Sequence, residues 1–390
     1  MVHMYSSFLL RLMFSGVLIR SSSITHAFGR LARHRMPFGR LEDPIAEMLF
    51  SSLFFAPSAV STNALKAPWK TAEINYSAAN RFCRENYGRE QYFPCETTAE
   101  EPIFNGRLGV LDDDSGRLRE ASLASCGFAL CASPDLVSDW SSLPELKRKY
   151  LPELAKLITA EFEGHGQSKV AATIFWNPML RGEGWGADGH DEPRASPRGP
   201  IAAMCHIDTD MNTFRGQIDD LVRMIERNRV EALLEGQPPP GSPLVGRGRE
   251  LADSLQSGRR FAIVNAWRNV DRDSPVLRAP LAVMATRYPP GTAGVVPTVS
   301  PCMERSRWYV FPRMTSDEVL LFTQFDRSAE HPGDTWHSAL PSVVEQRAAE
   351  EPAEEPLPPR RSFEVRCLVV FDEMVEHGCD RFSGYLPRLE

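Results

Sequence analysis

Short apolar segments separated by turns fill the second half of this chain, and they constrain its fold more than any other feature. Strands of this length between turns are typical of β-barrels and β-sandwiches. One amphipathic helix is predicted among them, over residues 217–234. The sequence therefore predicts a mainly β fold with flanking helices. The predicted strands are 171–176, 201–208, 261–267, 281–285, 308–311, 319–325, 335–340 and 363–371.

The first half of the chain has a different pattern. Residues 41–105 show no sustained hydrophobic period, and the segments that follow mix strand and helix signals. We therefore expect residues 41–165 to form an irregular and helical region that packs on a β domain. The elements predicted here are a hairpin at 107–118, a strand at 125–133 and a helix over 136–163.

The β domain is predicted to span residues 166–390 and to carry two insertions. Residues 182–200 are rich in Gly, Pro and Asp, and residues 343–359 contain five Glu and four Pro. Segments of this composition favour solvated loops over packed strands. No internal repeat is visible in the sequence.

Residues 1–40 contain six arginines and no acidic residue, whereas the whole chain has a net charge of −7, so the remainder sums to −13. Such a basic start is typical of an organellar transit peptide, with a secretory signal and an unstructured start as alternatives. The apolar stretch 8–19 is too short to cross a bilayer. We expect a targeting leader, a cytoplasmic or organellar protein and no membrane span.

The charge and the cysteines exclude several classes of protein. An acidic body without a basic stripe argues against a nucleic-acid partner, because phosphate binding requires clustered Lys and Arg. The eight cysteines form no CxxC pair, which argues against a zinc ribbon or a dithiol redox site. The oligomeric state is not predicted.

Two histidines and one carboxylate suggest a metal centre. His206 and Asp208 are two residues apart, so on a strand both side chains project from the same face. With His337 they give the ligand set of a mononuclear non-haem Fe(II) site, which leaves coordination positions open for a cosubstrate and O2. Arg366 follows on a later strand, where a guanidinium can bind the distal carboxylate of 2-oxoglutarate through two hydrogen bonds.

Each of these residues has a simpler alternative. His206 and Asp208 also fit a hydrogen-bonded pair at a strand end, since an HxD pattern is common by chance. His331 competes with His337, but His331 lies in a turn sequence, His-Pro-Gly-Asp. Arg361 competes with Arg366, and the odd separation of the two places them on opposite faces of a regular strand.

Several motifs resemble a known family. The segments 264–270 (VNAWRNV) and 279–283 (APLAV), together with 307–322, 337–339 (HSA) and 359–366 (PRRSFEVR), resemble the fungal hydroxylase/desaturase family in sequence and in order. That family includes gibberellin desaturase-like and aspergillic-acid hydroxylase-like enzymes and proteins similar to a cephalosporin methoxylation component. Arg361 and Leu340 depart from its usual pattern, which has Glu and Phe there.

The resemblance implies a double-stranded β-helix of the jelly-roll or cupin type, with Fe(II) and 2-oxoglutarate as cofactor and cosubstrate. It implies hydroxylation or desaturation of a small, secondary-metabolite substrate. It also marks a set of candidate pocket residues. These are Arg181, Asn265, Trp267, Arg268 and Trp308.

Three functions are compatible with these observations. The first is an Fe(II)/2-oxoglutarate dioxygenase. The second is a non-catalytic barrel that assists another biosynthetic enzyme, although retention of three metal ligands argues against it. The third is a metal-dependent hydrolase that uses the same ligands to activate water. Dependence of turnover on oxygen distinguishes the first from the third.

Overall fold

Strands are the dominant element of this protein. The computed structural model describes residues 67–81, 97–112, 117–166, 168–183, 198–208, 253–255, 257–287, 305–328, 333–345 and 356–376. The strands are β1 (Lys70–Asn75), β2 (Thr98–Asn105), β3 (Val110–Asp112), β4 (Arg117–Arg119), β5 (Phe128–Ala132), β6 (Val170–Gly182), β7 (Arg198–Gly199), β8 (Arg259–Asn269), β9 (Leu281–Ala285), β10 (Arg307–Val310), β11 (Glu318–Asp326), β12 (His337–Ala339) and β13 (Arg361–Met374). The helical segments between residues 106 and 164 are a 3-10 turn (Gly106–Leu108), α1 (Leu123–Cys126), α2 (Leu143–Glu145), a π turn (Leu146–Tyr150) and α3 (Leu151–Gly164).

Two sheets are built from strands that are distant in sequence. One has five strands in the order β1-β2-β10-β9-β12, and the other has six in the order β5-β11-β8-β13-β6-β7. Pairing is antiparallel except between β2 and β10 and between β6 and β7. The long central strands β8 and β13 pair without a register shift from Ser362 to Val370. Regular pairing over this length fixes which side chains share a face.

The six-stranded sheet is covered on both faces. Val264 and Ala266 pack in one apolar cluster with residues of α3. Trp267, which projects to the other face, packs with residues of β9 and β10 from the five-stranded sheet. Burial on both faces explains why β8 reads as a nearly continuous apolar run. The two sheets therefore enclose one apolar layer, and a helical layer covers the outside of the larger sheet.

The helix α3 follows from the spacing of its apolar residues. Leu151, Leu154, Ile158 and Phe162 recur at intervals of three or four and are all buried against the sheet. Full burial of such a side chain stabilises the fold by about 1.5–3 kcal/mol. The helical region begins later than predicted, at residue 143, because Ser142 caps it there and the Glu145 carboxylate accepts hydrogen bonds from the backbone of Ser138 and Asp139.

The predicted fold class is confirmed: the protein is mainly β, with a jelly-roll arrangement of two sheets and flanking helices. The hairpin predicted at 107–118 is present as β3 and β4. Of the eight predicted strands, only 201–208 is not a strand. The backbone of that segment forms hydrogen bonds with several different segments, including Asn75 and Ala339. Its only β-type pairing among the described residues is an isolated bridge between His206 and His337.

The first half of the chain also supplies strands to the two sheets, while the expected domain boundary at residue 166 stays a prediction. β1 and β2 extend the five-stranded sheet through β10, and β5 extends the six-stranded sheet through β11. Strands at a sheet edge have unpaired N–H and C=O groups, and segments from the first half of the chain pair with them here. The described residues between 67 and 165 thus contribute strands to both sheets in addition to helices that pack on the larger one.

Other predictions fall on residues that are not described. These include the leader 1–40, the helix over 217–234, His331, and the central parts of both insertions, at 184–197 and 346–355. They stay predictions. Within the described ranges, no helix has the length and apolar character needed to cross a membrane.

Candidate metal centre

The two histidines of the predicted triad are joined through their backbones. His206 and His337 form an antiparallel bridge, with N···O distances of 3.1 and 3.0 Å. This bridge brings their rings to a centroid separation of 4.2 Å. Asp208, two residues after His206, completes a group in which one ligand atom from each residue lies within 4.8 Å of the others. The structure therefore brings together all three residues that the sequence proposed as metal ligands.

Backbone carbonyls fix the orientation of both imidazoles. Nδ1 of His206 lies 2.7 Å from the carbonyl oxygen of Met204, and Nδ1 of His337 lies 3.3 Å from that of Thr335. A proton on Nδ1 satisfies each carbonyl and leaves the Nε2 lone pair available. The two Nε2 atoms face the Asp208 carboxylate at 3.7 and 4.0 Å. These distances are too long for hydrogen bonds and leave space for a shared cation.

The local environment keeps His337 and Asp208 in the forms that bind metal. Burial and the neighbouring His206 hold the pKa of His337 at about 3, so its imidazole is neutral. Burial alone would raise the pKa of Asp208, but the positive charge of Arg366, the largest opposing contribution, and the hydrogen bond from Asn265 help to lower this pKa below its ordinary value. A neutral imidazole and an ionised carboxylate are the ligand forms that divalent ions require.

Two further residues hold the Asp208 carboxylate. Asn265 donates a short hydrogen bond from Nδ2 to Oδ2, and the Arg366 guanidinium lies 3.0 Å from Oδ1. Asn265 and Arg366 are direct partners on β8 and β13, so they project side by side from one face. The Oδ1 atom of Asn265 is buried and has no hydrogen-bond partner among the described residues. An orphan acceptor at this position fits a hydrogen-bonding ligand at the centre.

A buried arginine, Arg360, lies on the same side of the sheet as the half-buried Arg366. Arg360 immediately precedes β13 and is six residues before Arg366, and an even separation in extended backbone directs both side chains to the same side. The Arg360 guanidinium is 5.0 Å from the centre of the Trp267 ring and donates to the carbonyl of Ala279 at 2.6 Å. Burial lowers its pKa to about 10. It makes no salt bridge with any carboxylate in the described ranges.

The remaining candidate pocket residues divide between the two faces. Trp267 lies on the inner face, and its indole N–H is buried without a partner among the residues described. Arg181 reaches the inner face through an ion pair with Glu364, at 2.7 Å. Arg268 does not line the site, because it lies on the helix-covered face against the rings of Trp140 and Tyr150.

Trp308 also lies away from the centre. Its indole N–H donates to the hydroxyl of Tyr76 at 3.0 Å, within an apolar cluster on the outer side of the five-stranded sheet. Arg361 is exposed, and its odd separation from Arg366 directs it to the opposite face of β13. The sequence reading missed Arg360 because Pro359 and Arg361 made this segment look irregular. Its even spacing from Arg366 was the available signal.

Comparisons with known proteins agree with the sequence motifs. A family model described as "Oxidoreductase/YMDC permease-like domain" matches residues 245–370, which is less than half of the chain. The chain is 26% identical over 265 residues to "Alpha-ketoglutarate-dependent dioxygenase phiK" from Fungal sp. (strain ATCC 74256), covering 65% of this chain and 81% of that protein.

A second relative is "Hydroxylase/desaturase efuI" of Hormonema carpetanum, 25% identical over 299 residues, covering 69% of this chain and 85% of that protein. Among solved structures, the "iron and alpha-ketoglutarate-dependent endoperoxidase NvfI" is 17% identical with a TM-score of 0.44, covering 78% of this chain and 99% of that one. The resemblance to fungal hydroxylases and desaturases that the motifs indicated is confirmed by the two curated relatives, at a low level of sequence identity.

Proposed function

We propose that this protein is an Fe(II)- and 2-oxoglutarate-dependent oxygenase that hydroxylates or desaturates a small, secondary-metabolite substrate, with O2 as the second cosubstrate. The observation that carries the proposal is the convergence of His206, Asp208 and His337. Their ligand atoms lie within 4.8 Å of one another, and both imidazoles are oriented by backbone carbonyls. Two histidines and one carboxylate are the ligand set of a non-haem Fe(II) oxygenase. The two curated relatives, a dioxygenase and a hydroxylase/desaturase by name, support the same class.

We assign the distal carboxylate of 2-oxoglutarate to Arg360, with Ser362 beside it. The Arg360 Nε atom lies 3.4 Å from the Ser362 hydroxyl, and the guanidinium lies over Trp267. Trp267 is two residues from Asn265 on one face of β8, a separation of roughly 6.6 Å along the strand. A five-carbon dicarboxylate can span this gap from the metal ligands. Among the described residues, the Arg360 guanidinium has no carboxylate partner and the buried Trp267 indole N–H has no acceptor, and a carboxylate group of the cosubstrate would supply both.

This assignment revises the role expected for Arg366. Its guanidinium contacts Asp208 and therefore lies at the metal end of the site. There it holds the Asp208 carboxylate in position together with Asn265, and it is available to the metal-side carboxylate of the cosubstrate. Arg361, which is exposed, has no role in the proposal.

When bound, the iron and its cosubstrate supply the oxidising chemistry; the chain supplies orientation and a dry environment. Phe322 packs against His337 with a ring separation of 4.8 Å and shields that ligand from water. The ion pair of Arg181 with Glu364 neutralises a carboxylate on the inner face of β13, so that Glu364 does not repel an anionic cosubstrate.

The decisive experiment is anaerobic reconstitution with Fe(II), followed by addition of 2-oxoglutarate, O2 and a panel of candidate metabolites. We expect succinate to form only when iron and oxygen are both present. Turnover of a substrate without oxygen would indicate a metal-dependent hydrolase. Absence of both Fe(II) affinity and succinate formation would favour a non-catalytic partner of another enzyme. Arg361→Ala serves as a control because it removes an exposed arginine next to Arg360.

A further inference from the structure

The side chain of Gln324 lies between the segment that carries Asp208 and the segment that precedes His337, although no sequence motif singled it out. It belongs to β11 and is 1% exposed. Its Oε1 atom accepts a hydrogen bond from the backbone N–H of Asp208 at 2.7 Å, and its Nε2 atom donates to the carbonyl of Thr335 at 3.1 Å. One amide therefore bridges the segment that carries Asp208 and the segment that leads into His337.

The backbone of β11 is irregular at this residue. The register of β11 along β8 shifts between Thr323 and Phe325, so Gln324 is an extra residue without a partner on β8. A bulge of this kind redirects a side chain relative to a regular strand. The flanking Phe322 and Phe325 are buried and apolar. A polar amide in such surroundings costs free energy unless both of its ends are hydrogen-bonded, and here both are.

Thr335 links this amide to a metal ligand. Its carbonyl accepts from Gln324 and also faces Nδ1 of His337 at 3.3 Å. The Thr335 residue is itself fixed, because its N–H donates to the carbonyl of Thr323 at 2.9 Å and its hydroxyl donates to that of Gly127 at 3.0 Å. The orientation of the His337 imidazole is therefore coupled to the position of the Gln324 amide.

We propose that Gln324 is a positioning residue of the metal centre, whose amide sets the spacing between the Asp208 carboxylate and the His337 imidazole. This inference rests on the proposed function of the site. These two contacts require a side chain that donates and accepts at the same time, and the Gln324 amide does so: a carboxylate cannot donate to the Thr335 carbonyl, and an ammonium group cannot accept from the Asp208 N–H. Residues that orient metal ligands in this way typically contribute ten- to a hundredfold to metal affinity.

The test measures metal binding without turnover. Co(II) is titrated anaerobically into the full-length protein, with calorimetry for the affinity and ligand-field absorption for the geometry of the centre. Gln324→Met removes both hydrogen bonds at nearly constant volume. We expect its Kd for Co(II) to rise by about ten- to a hundredfold and its absorption spectrum to change.

Glu145→Met is the matched control. The Glu145 carboxylate is also buried and binds the backbone of Ser138 and Asp139, but it lies in the helical layer on the other side of the six-stranded sheet. This variant replaces another hydrogen-bonded side chain with the same methionine. We expect lower resistance to denaturant but the Co(II) affinity and spectrum of the wild type.

Each outcome has a defined reading. A wild-type protein that binds no Co(II) contradicts the proposed function. Wild-type binding together with an unchanged Kd and spectrum in folded Gln324→Met overturns the positioning role alone, and so does an equal loss of affinity in Glu145→Met. If Gln324→Met does not fold, Gln324→Asn is measured in its place. Its side chain is one methylene too short to reach both partners, and it is read in the same way.

Discussion

Two buried arginines on opposite faces of the six-stranded sheet make an instructive pair. Arg268 faces the helical layer, where its guanidinium lies 4.8 Å from the Trp140 ring and donates to the carbonyl of Ser133. Arg360 faces the five-stranded sheet and lies 5.0 Å from the Trp267 ring. Both are buried, both contact aromatic rings, and neither forms an ion pair with a described carboxylate.

The difference between them lies in what shares their face. The face that carries Arg268 is lined by apolar residues of the strands and of α3, and the packing of these residues stabilises the fold. The face of Arg360 carries Asn265 and Arg366, both of which contact Asp208. Burial of a guanidinium alone does not identify a ligand site. Side chains along a strand project alternately to the two faces of the sheet. The face from which an arginine projects therefore distinguishes a structural role from a binding role.

The largest effect is expected at the triad. His206→Ala, Asp208→Ala and His337→Ala each remove one of three metal ligands, so each variant should lose metal binding and reduce 2-oxoglutarate turnover to background. Metal content and succinate formation measure this. His331→Ala should keep its activity, and the reverse result for His331 and His337 would assign the second histidine to the turn sequence.

The helix-covered face should affect stability and leave the chemistry unchanged. Ile158→Ala deletes a fully buried side chain, so we expect a loss of about 2–5 kcal/mol in the free energy of unfolding. Denaturant titration measures this loss. The Co(II) affinity of the folded variant should equal that of the wild type, and a weaker affinity would show that the two faces are coupled.

The two buried arginines provide a direct test of the comparison. Arg360→Met should raise the Kd for 2-oxoglutarate by about ten- to a hundredfold, because a charge-assisted pair contributes about 1.5–3 kcal/mol. Arg268→Met should leave this Kd within about twofold of the wild-type value, since it faces the helices. Equilibrium binding of 2-oxoglutarate to the anaerobic metal-loaded protein distinguishes them. Equal losses in both variants would refute the assignment of faces.

The smallest effect is expected at Arg361. Its side chain is exposed, and substitutions at such positions usually change stability by less than about 0.5 kcal/mol. Arg361→Ala should therefore keep both the unfolding free energy and the 2-oxoglutarate Kd. If Arg361→Ala weakens 2-oxoglutarate binding and Arg360→Met does not, the strand register described here is wrong.

Much of this architecture could be predicted from local pattern. The strands 281–285 and 261–267 were found because an apolar run between turns is visible in the sequence. The odd separation of Arg361 and Arg366 still separates their faces, because β13 pairs with β8 without a shift from Ser362 to Val370. The convergence of His206, Asp208 and His337 followed from their residue types and their order.

The parts that were missed depend on contacts between distant segments. The pairing of β2 with β10 and of β5 with β11 has no local signal in the sequence, so the sequence predicted only that the first half of the chain packs on the β domain. Gln324 is needed because of Asp208 and Thr335, which meet only in three dimensions. In β11, two polar residues in succession, Thr323 and Gln324, interrupt an otherwise apolar run. This interruption was the local sign of the bulge.

The bridge between His206 and His337 has a thermodynamic consequence for the whole chain. The two residues are about 130 positions apart, and closing a loop of that length costs conformational entropy. A bound ion that holds both imidazoles and Asp208 acts as a cross-link across this loop. Because only the folded chain presents the complete ligand set, free metal should raise the melting temperature in proportion to the logarithm of its concentration above Kd. Metal supply would then set the lifetime of the protein as well as its activity.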